Sequence, residues 1–134
     1  MPRARVGKPK PPLEKIEQQH IVQLIRSLGG AVYILGTKRR KGDYQGTNQT
    51  PGVPDLIAFV RRGADCWLHC YIEVKRKGGQ MSEAQQGFQT CALLSGVCHI
   101  VGGYADVARA LVAWGVMGPE QVPNACLLAS SNTY

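Results

Sequence analysis

Two β-rich segments separated by a short polar turn occupy the middle of this sequence. Residues 54–60 and residues 67–75 are each predicted to form a strand, and residues 61–65 between them predict a hairpin turn. Strands joined by so short a turn run antiparallel. The hairpin is therefore expected to bring the beginning of its first strand beside the end of its second strand.

A helix and a short strand are predicted before the hairpin. The helix lies between Pro12 and Gly29, because proline favours the first helical position and glycine commonly ends a helix. Residues 31–35 form the strand. Two neighbouring stripes of largely apolar residues recur along the helix at helical spacing and predict its buried face. They are Leu13, Ile16, His20, Leu24 and Leu28, with Glu17, Ile21 and Ile25 on a neighbouring stripe.

A helix, a strand and a last helix are predicted after the hairpin. Ser82 is the expected N-cap of the first of these helices, and Gln85 completes a capping box. This helix ends at Gly96 and is expected to turn Phe88, Ala92 and Leu93 inward. Residues 97–101 form the strand and residues 104–114 the last helix. The strand-helix-strand unit favours a parallel pair, so an α/β fold with a mixed central sheet flanked by helices is expected.

The chain is expected to hold one domain with two extensions. Residues 12–115 form the domain, residues 1–11 a disordered basic arm, and residues 116–134 a C-terminal tail that packs on the domain or on a second subunit. Residues 36–52 form a polar loop whose length indicates function or disorder. Four consecutive basic residues lie in this loop: Lys38, Arg39, Arg40 and Lys41.

Charge and composition favour a soluble protein with a polyanionic partner. The net charge is +7 and the pI is about 9.4, a balance that attracts phosphates. No apolar run approaches the ~18 residues that a membrane span needs, and the N-terminus lacks a secretory signal. We therefore expect no membrane association and a cytoplasmic location. The odd count of five cysteines predicts free thiols, with Cys91 and Cys98 as small buried hydrophobes.

The segment Glu73-Val74-Lys75 carries the residues best suited to catalysis. Side chains two apart on a strand share a face, so Glu73 and Lys75 project together while Val74 points to the core. A solvated edge strand with a Glu–Lys pair is the alternative interpretation. Pairing across the hairpin brings Asp55 close to Glu73, and two carboxylates with one ammonium suit a Mg²⁺-dependent nuclease. In that interpretation Lys75 orients or deprotonates the attacking water.

Two further positions have both structural and functional interpretations. Glu17 is a candidate third carboxylate from the first helix, with Glu14 as its rival and a solvated helix position as the alternative. Gln85 reaches either the site or the backbone as a helix cap.

The combined pattern resembles the VRR-NUC family of the PD-(D/E)xK nuclease superfamily, in its stand-alone phage and bacterial form. The resemblance covers roughly residues 13–114 and rests on Pro-Asp and Glu-x-Lys in the predicted αβββαβ order, with a Ser-x-x-Gln helix. The matching segments are residues 17–19 (Glu-Gln-Gln), 29–30 (Gly-Gly), 52–57 (Gly-Val-Pro-Asp-Leu-Ile), 71–76 (Tyr-Ile-Glu-Val-Lys-Arg), 78–79 (Gly-Gly) and 82–85 (Ser-Glu-Ala-Gln).

This resemblance implies a restriction-endonuclease-like fold and a set of site residues. The implied catalytic residues are Glu17, Asp55, Glu73, Lys75 and Gln85, and the implied metal ligands are Asp55, Glu73, Glu17 and the Val74 carbonyl. The implied cofactor is Mg²⁺ or Mn²⁺. DNA is expected to contact the four loop cations Lys38, Arg39, Arg40 and Lys41 through its backbone, and Arg76 and Lys77 as well. The resemblance also implies a homodimer that cleaves branched DNA such as four-way junctions, in a bacterial or phage-infected cell.

Three other functions remain open at this stage. A DNA-binding module of the same fold that does not cut is disfavoured by Glu73 and Lys75, since carboxylates repel phosphate. A sequence-specific restriction endonuclease is disfavoured because no separate recognition domain is visible in the sequence. A small RNA-binding domain is disfavoured by an aromatic fraction of 7% and by the lack of an aromatic-rich strand motif.

Overall fold

A computed structural model describes residues 12–35 and 50–122 of the chain. The predicted basic arm, the four basic loop residues and Cys126 lie outside the described residues. The elements are α1 (Pro12–Ser27), β1 (Ala31–Ile34), β2 (Leu56–Arg62), β3 (Cys66–Val74), α2 (Glu83–Leu94), β4 (Cys98–Gly102), α3 (Tyr104–Ala113) and a 3-10 turn (Pro119–Gln121). Their order confirms the predicted α-β-β-β-α-β-α arrangement.

The four strands form one mixed sheet in the order β1-β2-β3-β4. The β1–β2 and β2–β3 pairs are antiparallel, and the β3–β4 pair is parallel because α2 carries the chain back across the sheet. This confirms the predicted mixed sheet. It also makes β3 a central strand, which is the element on which the Glu-x-Lys segment lies.

The main core lies between one face of the sheet and helices α1 and α3. Side chains alternate along each strand, and the buried positions of β2 and β3 face these two helices. The largest fully buried side chains include Ile21, Ile25, Leu56, Ile72 and Leu111. The segment after α3 contributes as well, since Met117 and Val122 belong to the same core. Residues 116–122 of the predicted tail therefore pack on the domain.

Two predicted helix faces are wrong in detail. Leu13 and Ile16 are 61% and 45% exposed, whereas Ile21 and Ile25 of the neighbouring stripe are fully buried. Leu24 and Leu28 of the first stripe are partly buried against the core, as predicted. Both stripes are apolar in sequence, so only packing against the sheet decides how the helix is rotated.

The inward face of α2 is only partly as predicted. Ala92 is buried and Phe88 is half-buried, but Leu93 is 58% exposed and Cys91 is exposed as well. This helix lies against the other face of the sheet, where it contacts β4 and the end of β3, and it covers only part of that face. A helix packed on one side alone leaves its remaining apolar residues in solvent. Within residues 12–35 and 50–122, no helix is long and apolar enough to cross a membrane.

Candidate active site

The hairpin brings Asp55 to the end of β3. The last β2–β3 pair is Leu56 with Ile72, so the residue before β2 lies opposite Glu73. The Asp55 Oδ2 atom accepts a hydrogen bond of 2.8 Å from the Val74 backbone N–H. The backbone carbonyl of Asp55 accepts another hydrogen bond, also of 2.8 Å, from the N–H of Leu35, which follows β1. Asp55 is thus fixed from both sides, and the predicted approach to Glu73 follows from the antiparallel register.

Glu73 is a buried carboxylate in a central strand. Its exposed fraction is 4%, although it lies on the face opposite to that of its fully buried neighbours Ile72 and Val74. A carboxylate buried without partners is expensive. The Gln85 Nε2 group donates a hydrogen bond of 2.9 Å to Glu73 Oε2. The alternative of a solvated edge strand is therefore wrong, since Glu73 is neither solvated nor on an edge.

Gln85 performs both roles that the sequence left open. Its Oε1 atom accepts a hydrogen bond of 2.8 Å from the Ser82 N–H, and its own N–H donates one of 3.1 Å to Ser82 Oγ. This confirms the predicted capping box at the start of α2. Because the cap uses the oxygen of the amide, the nitrogen remains for Glu73. One side chain therefore ties the N-terminus of α2 to the buried carboxylate.

Lys75 continues the β3 ladder just beyond the end of the strand. Its N–H donates a hydrogen bond of 3.0 Å to the Gly102 carbonyl, so its half-buried side chain leaves on the same side as that of Glu73. The turn that follows folds back over it. A Cβ atom placed on Gly79 would lie 3.5 Å from Lys75 Cδ, and Gly78 has φ +84°. The Gly78-Gly79 pair therefore lets the turn approach the aliphatic part of Lys75.

Helix α1 brings two glutamates to the same end of the sheet, and they have different partners. Glu14 is 9% exposed, and its Oε2 atom accepts a hydrogen bond of 3.3 Å from the Arg76 N–H, next to Lys75. The Glu17 carboxylate accepts a hydrogen bond from the N–H of Tyr104, at the start of α3. The family resemblance implied Glu17, through the Glu-Gln-Gln segment at residues 17–19. The contacts place Glu14 beside the Glu-x-Lys segment, and the catalytic role of Glu17 stays a prediction.

The carboxylates at this end of the sheet suit a hard divalent cation. Among the described residues, no group of three or more His, Cys, Asp or Glu side chains is close enough to hold a metal ion alone. Mg²⁺ does not need such a cage, because proteins usually hold it with one or two carboxylates while waters and substrate phosphate complete its shell. Asp55, just before β2, and Glu73 of β3 lie at opposed positions of the register, and their role as that pair of carboxylates stays a prediction. The Val74 carbonyl stays a predicted further ligand.

Cys70 and His99, whose pKa values are shifted, lie outside this cluster. Burial raises the pKa of the Cys70 thiol to about 12, and neighbouring Cys98 adds to the rise, so Cys70 is an unreactive core residue. Burial lowers the pKa of His99, whose Nδ1 atom lies 3.4 Å from Gln89 Nε2. His99 is therefore expected to be neutral at physiological pH.

Arg76 and Lys77 are the predicted DNA contacts that lie within the described residues. Both are exposed in the turn that follows Lys75. Their position leaves two cations directly beside the candidate active site. Their contact with DNA stays a prediction.

Comparison with known proteins identifies the architecture. A solved structure described as "VRR_NUC domain" superimposes with a TM-score of 0.54, at 22% sequence identity, over 75% of this chain and 94% of that chain. The chain has the VRR_NUC fold. No family model and no curated protein matches the sequence. The VRR_NUC fold confirms the restriction-endonuclease-like architecture that the motif resemblance implied.

Proposed function

We propose that this chain is a metal-dependent nuclease that hydrolyses phosphodiester bonds in DNA. The observation that carries the proposal is the buried Glu73, held by Gln85 and lying opposite Asp55, with Lys75 two residues beyond it. Burying a charged group in a central strand costs stability, so its presence there favours a functional purpose. Its place in a VRR_NUC fold favours phosphodiester hydrolysis as that purpose.

Each side chain has a distinct part in the proposed reaction. Asp55 and Glu73 hold Mg²⁺ or Mn²⁺, with the Val74 carbonyl as a further ligand. When bound, such an ion polarises the phosphate and lowers the pKa of a coordinated water. Gln85 keeps the Glu73 carboxylate oriented through its 2.9 Å hydrogen bond. Lys75 orients the attacking water, or takes its proton, and offsets negative charge that develops on the phosphate.

The third carboxylate is proposed to come from α1. The resemblance implies Glu17, whereas the hydrogen bond to the Arg76 N–H favours Glu14. Glu17 already serves the N-terminus of α3, where a negative charge is stabilised by the helix dipole. We therefore propose Glu14 as the α1 residue that acts beside Lys75, and Glu17 as the residue that joins α1 to α3.

The proposed substrate is branched DNA such as a four-way junction, and the proposed active form is a homodimer. The resemblance to stand-alone VRR-NUC proteins supports both statements, since two sites in a dimer act on two strands of a junction. The net charge of +7 and the exposed Arg76 and Lys77 support a nucleic-acid substrate in general. Sedimentation velocity over a concentration series tests the dimer, and a monomer at all concentrations contradicts it.

The decisive experiment compares DNA substrates and cations. The protein is incubated with duplex, flap and four-way-junction DNA in Mg²⁺, Mn²⁺ or EDTA, and products are resolved on denaturing gels. Cleavage in either cation and none in EDTA is the expected result. Full activity in EDTA contradicts metal dependence, and binding without cleavage in every cation favours the non-cutting module.

Two lysine variants make the same experiment specific to the site. Lys75→Ala is expected to reduce the cleavage rate by about 10²–10⁴-fold, the usual contribution of a positioned proton-transfer group. Lys15→Ala, which removes an exposed lysine of α1, is the matched control and is expected to cut normally. Equal rates for the two variants contradict a catalytic role for Lys75.

A further inference from the structure

The face of the sheet opposite α1 and α3 carries a continuous row of aromatic rings, which we call the aromatic face. Its members are Tyr33 of β1, Phe59 of β2, His69 and Tyr71 of β3, and Phe88 of α2. Because α2 covers only part of this side, the row is open at its β1 end. Tyr33 is 58% exposed and Phe59 is 37% exposed.

The rings of the aromatic face contact one another from β1 to α2. The Tyr33 and Phe59 centroids are 6.1 Å apart, and Phe59 and His69 stack at 5.2 Å with an interplanar angle of 20°. Tyr71 lies 4.9 Å from His69 on one side and 4.9 Å from Phe88 on the other, edge to face in both cases. Such contacts orient each ring, so the two exposed rings are presented in fixed positions.

The aromatic face begins at the candidate active site. Tyr71 lies two residues before Glu73 in β3 and therefore projects from the same face. Phe88 lies nearly one helical turn after Gln85 in α2. The row leads from the buried carboxylate and its glutamine across β3 and β2 to the β1 edge. A ligand on the exposed rings thus adjoins the substrate of the site.

The charges on this side of the sheet suit an anionic ligand. At the strand positions of this face within the described residues, Glu73 is the one carboxylate, and it is buried at the site end. Asp55, just before β2, lies opposite it at that same end. Arg61 lies on the same face, with its guanidinium carbon 5.7 Å from the ring centroid of Trp67, which is 52% exposed. Exposed rings beside a cation form the combination that binds single-stranded nucleic acid, since bases stack on rings and the cation meets the backbone.

We propose that the aromatic face binds unpaired nucleotides of the substrate by base stacking, next to the active site. The choice of a nucleic-acid ligand rests on the proposed function. Duplex DNA does not fit these rings, because its bases are stacked within the helix and hide their faces. Single strands and frayed ends offer free base faces, and sheets that carry exposed aromatic side chains bind them in this way.

The test measures binding in EDTA, where no metal-dependent cleavage interferes. Fluorescence anisotropy gives the Kd of wild type, Tyr33→Leu and Phe59→Leu for a labelled oligothymidylate and for a blunt duplex. Leucine keeps the surface apolar and removes the ring. Leu13→Ala is the matched control, since Leu13 is 61% exposed on α1, away from this face. Each ring substitution is expected to raise the Kd for the single strand about 5-fold or more, and to leave the duplex Kd unchanged.

Each outcome of this test decides for or against the proposal. Unchanged single-strand binding in both ring variants overturns it, as does an equal loss on single strand and duplex. Sedimentation velocity of the same proteins tests whether a second copy of the chain occupies the aromatic face instead. The proposal is overturned if wild type is a dimer, the ring substitutions dissociate it, and they cause no selective loss of affinity for the single strand.

Failure of the proposed nuclease function is separately visible. If wild type cuts no DNA in any cation but the ring variants lose single-strand binding selectively, the stacking surface stands and the nuclease proposal falls. If wild type cuts and the ring variants bind single strands normally, the reverse holds.

Discussion

Replacing Gln85 separates the structural contribution of its side chain from its contribution to the site. Its Oε1 atom caps α2 through the Ser82 N–H, and its Nε2 group donates to Glu73. Ser82→Ala removes only a capping partner. Gln85→Leu removes the side-chain half of the capping box and the Glu73 bond together. Gln85→Glu keeps an oxygen for the cap but places a second carboxylate against the first.

The expected losses of unfolding free energy follow from these contacts. Ser82→Ala loses about 1 kcal/mol, the usual value for an N-cap. Gln85→Leu loses about 2–4 kcal/mol, because an exposed capping bond contributes about 1 kcal/mol and a charged acceptor that is 4% exposed is left short of a donor. Gln85→Glu loses up to about 4 kcal/mol near neutral pH, the repulsion of two unit charges ~4 Å apart at an effective dielectric constant of ~20.

Urea denaturation followed by the fluorescence of Trp67 and Trp114 measures all three losses. For Gln85→Glu the like charge raises the pKa of the carboxyl introduced at position 85 above its unfolded value, so stability is retained at low pH and lost as pH rises through that pKa. The gap to wild type is therefore expected to close under acid. Equal losses for Ser82→Ala and Gln85→Leu would show that the bond to Glu73 contributes nothing. A pH-independent gap for Gln85→Glu would refute the charge argument.

Three further substitutions test how the neighbouring residues hold the site. Asp55→Asn keeps an acceptor for the backbone N–H of β3 and is expected to fold normally but lose cleavage, whereas Asp55→Ala also loses about 1–3 kcal/mol in denaturation. Glu14→Gln is expected to reduce cleavage. Glu17→Gln is expected to keep cleavage and to lose about 0.5–1 kcal/mol of unfolding free energy, because it weakens the contact at the start of α3. The reverse pattern supports Glu17 as the catalytic residue. Gly52→Ala, at φ +95° and against a carbonyl oxygen of α2, is expected to lose at least about 1–3 kcal/mol. Gly87→Ala, inside α2 with open space around it, is expected to lose nothing and to gain up to about 1 kcal/mol, because alanine has the higher helix propensity.

The sequence predicts the approach of Asp55 to Glu73 because that approach depends on local structure. A short turn sets the pairing of the two strands that it joins, so the register of β2 on β3 follows from the turn. The capping box is local in the same way, since Ser82 and Gln85 are three residues apart. Both predictions needed only the residues of one hairpin or of one helix turn.

The rotation of α1 was not predictable in this way. Its two apolar stripes are similar in composition, and local spacing does not choose between them. The choice depends on contacts between distant residues, such as the bond from the Arg76 N–H to Glu14, 62 positions apart. The second bond of Gln85 has the same origin. The cap fixes where the helix begins, and only the parallel placement of β4 beside β3 brings that helix over Glu73.

The backbone explains why the carboxylates gather at this end of the sheet. Strand ends and helix starts leave N–H groups that no ladder uses. Continuing the β2–β3 register places Val74 opposite position 54, a proline that precedes β2. The Asp55 side chain accepts the hydrogen bond from the Val74 N–H. The two glutamates of α1 accept hydrogen bonds from two further N–H groups. Glu14 accepts from Arg76, after β3, and Glu17 accepts from Tyr104, at the start of α3. The fold thus supplies backbone donors that stabilise negative charge where β3 and β4 end. Glu73 differs from these three in lying within a strand, and there the Gln85 amide donates to its side chain.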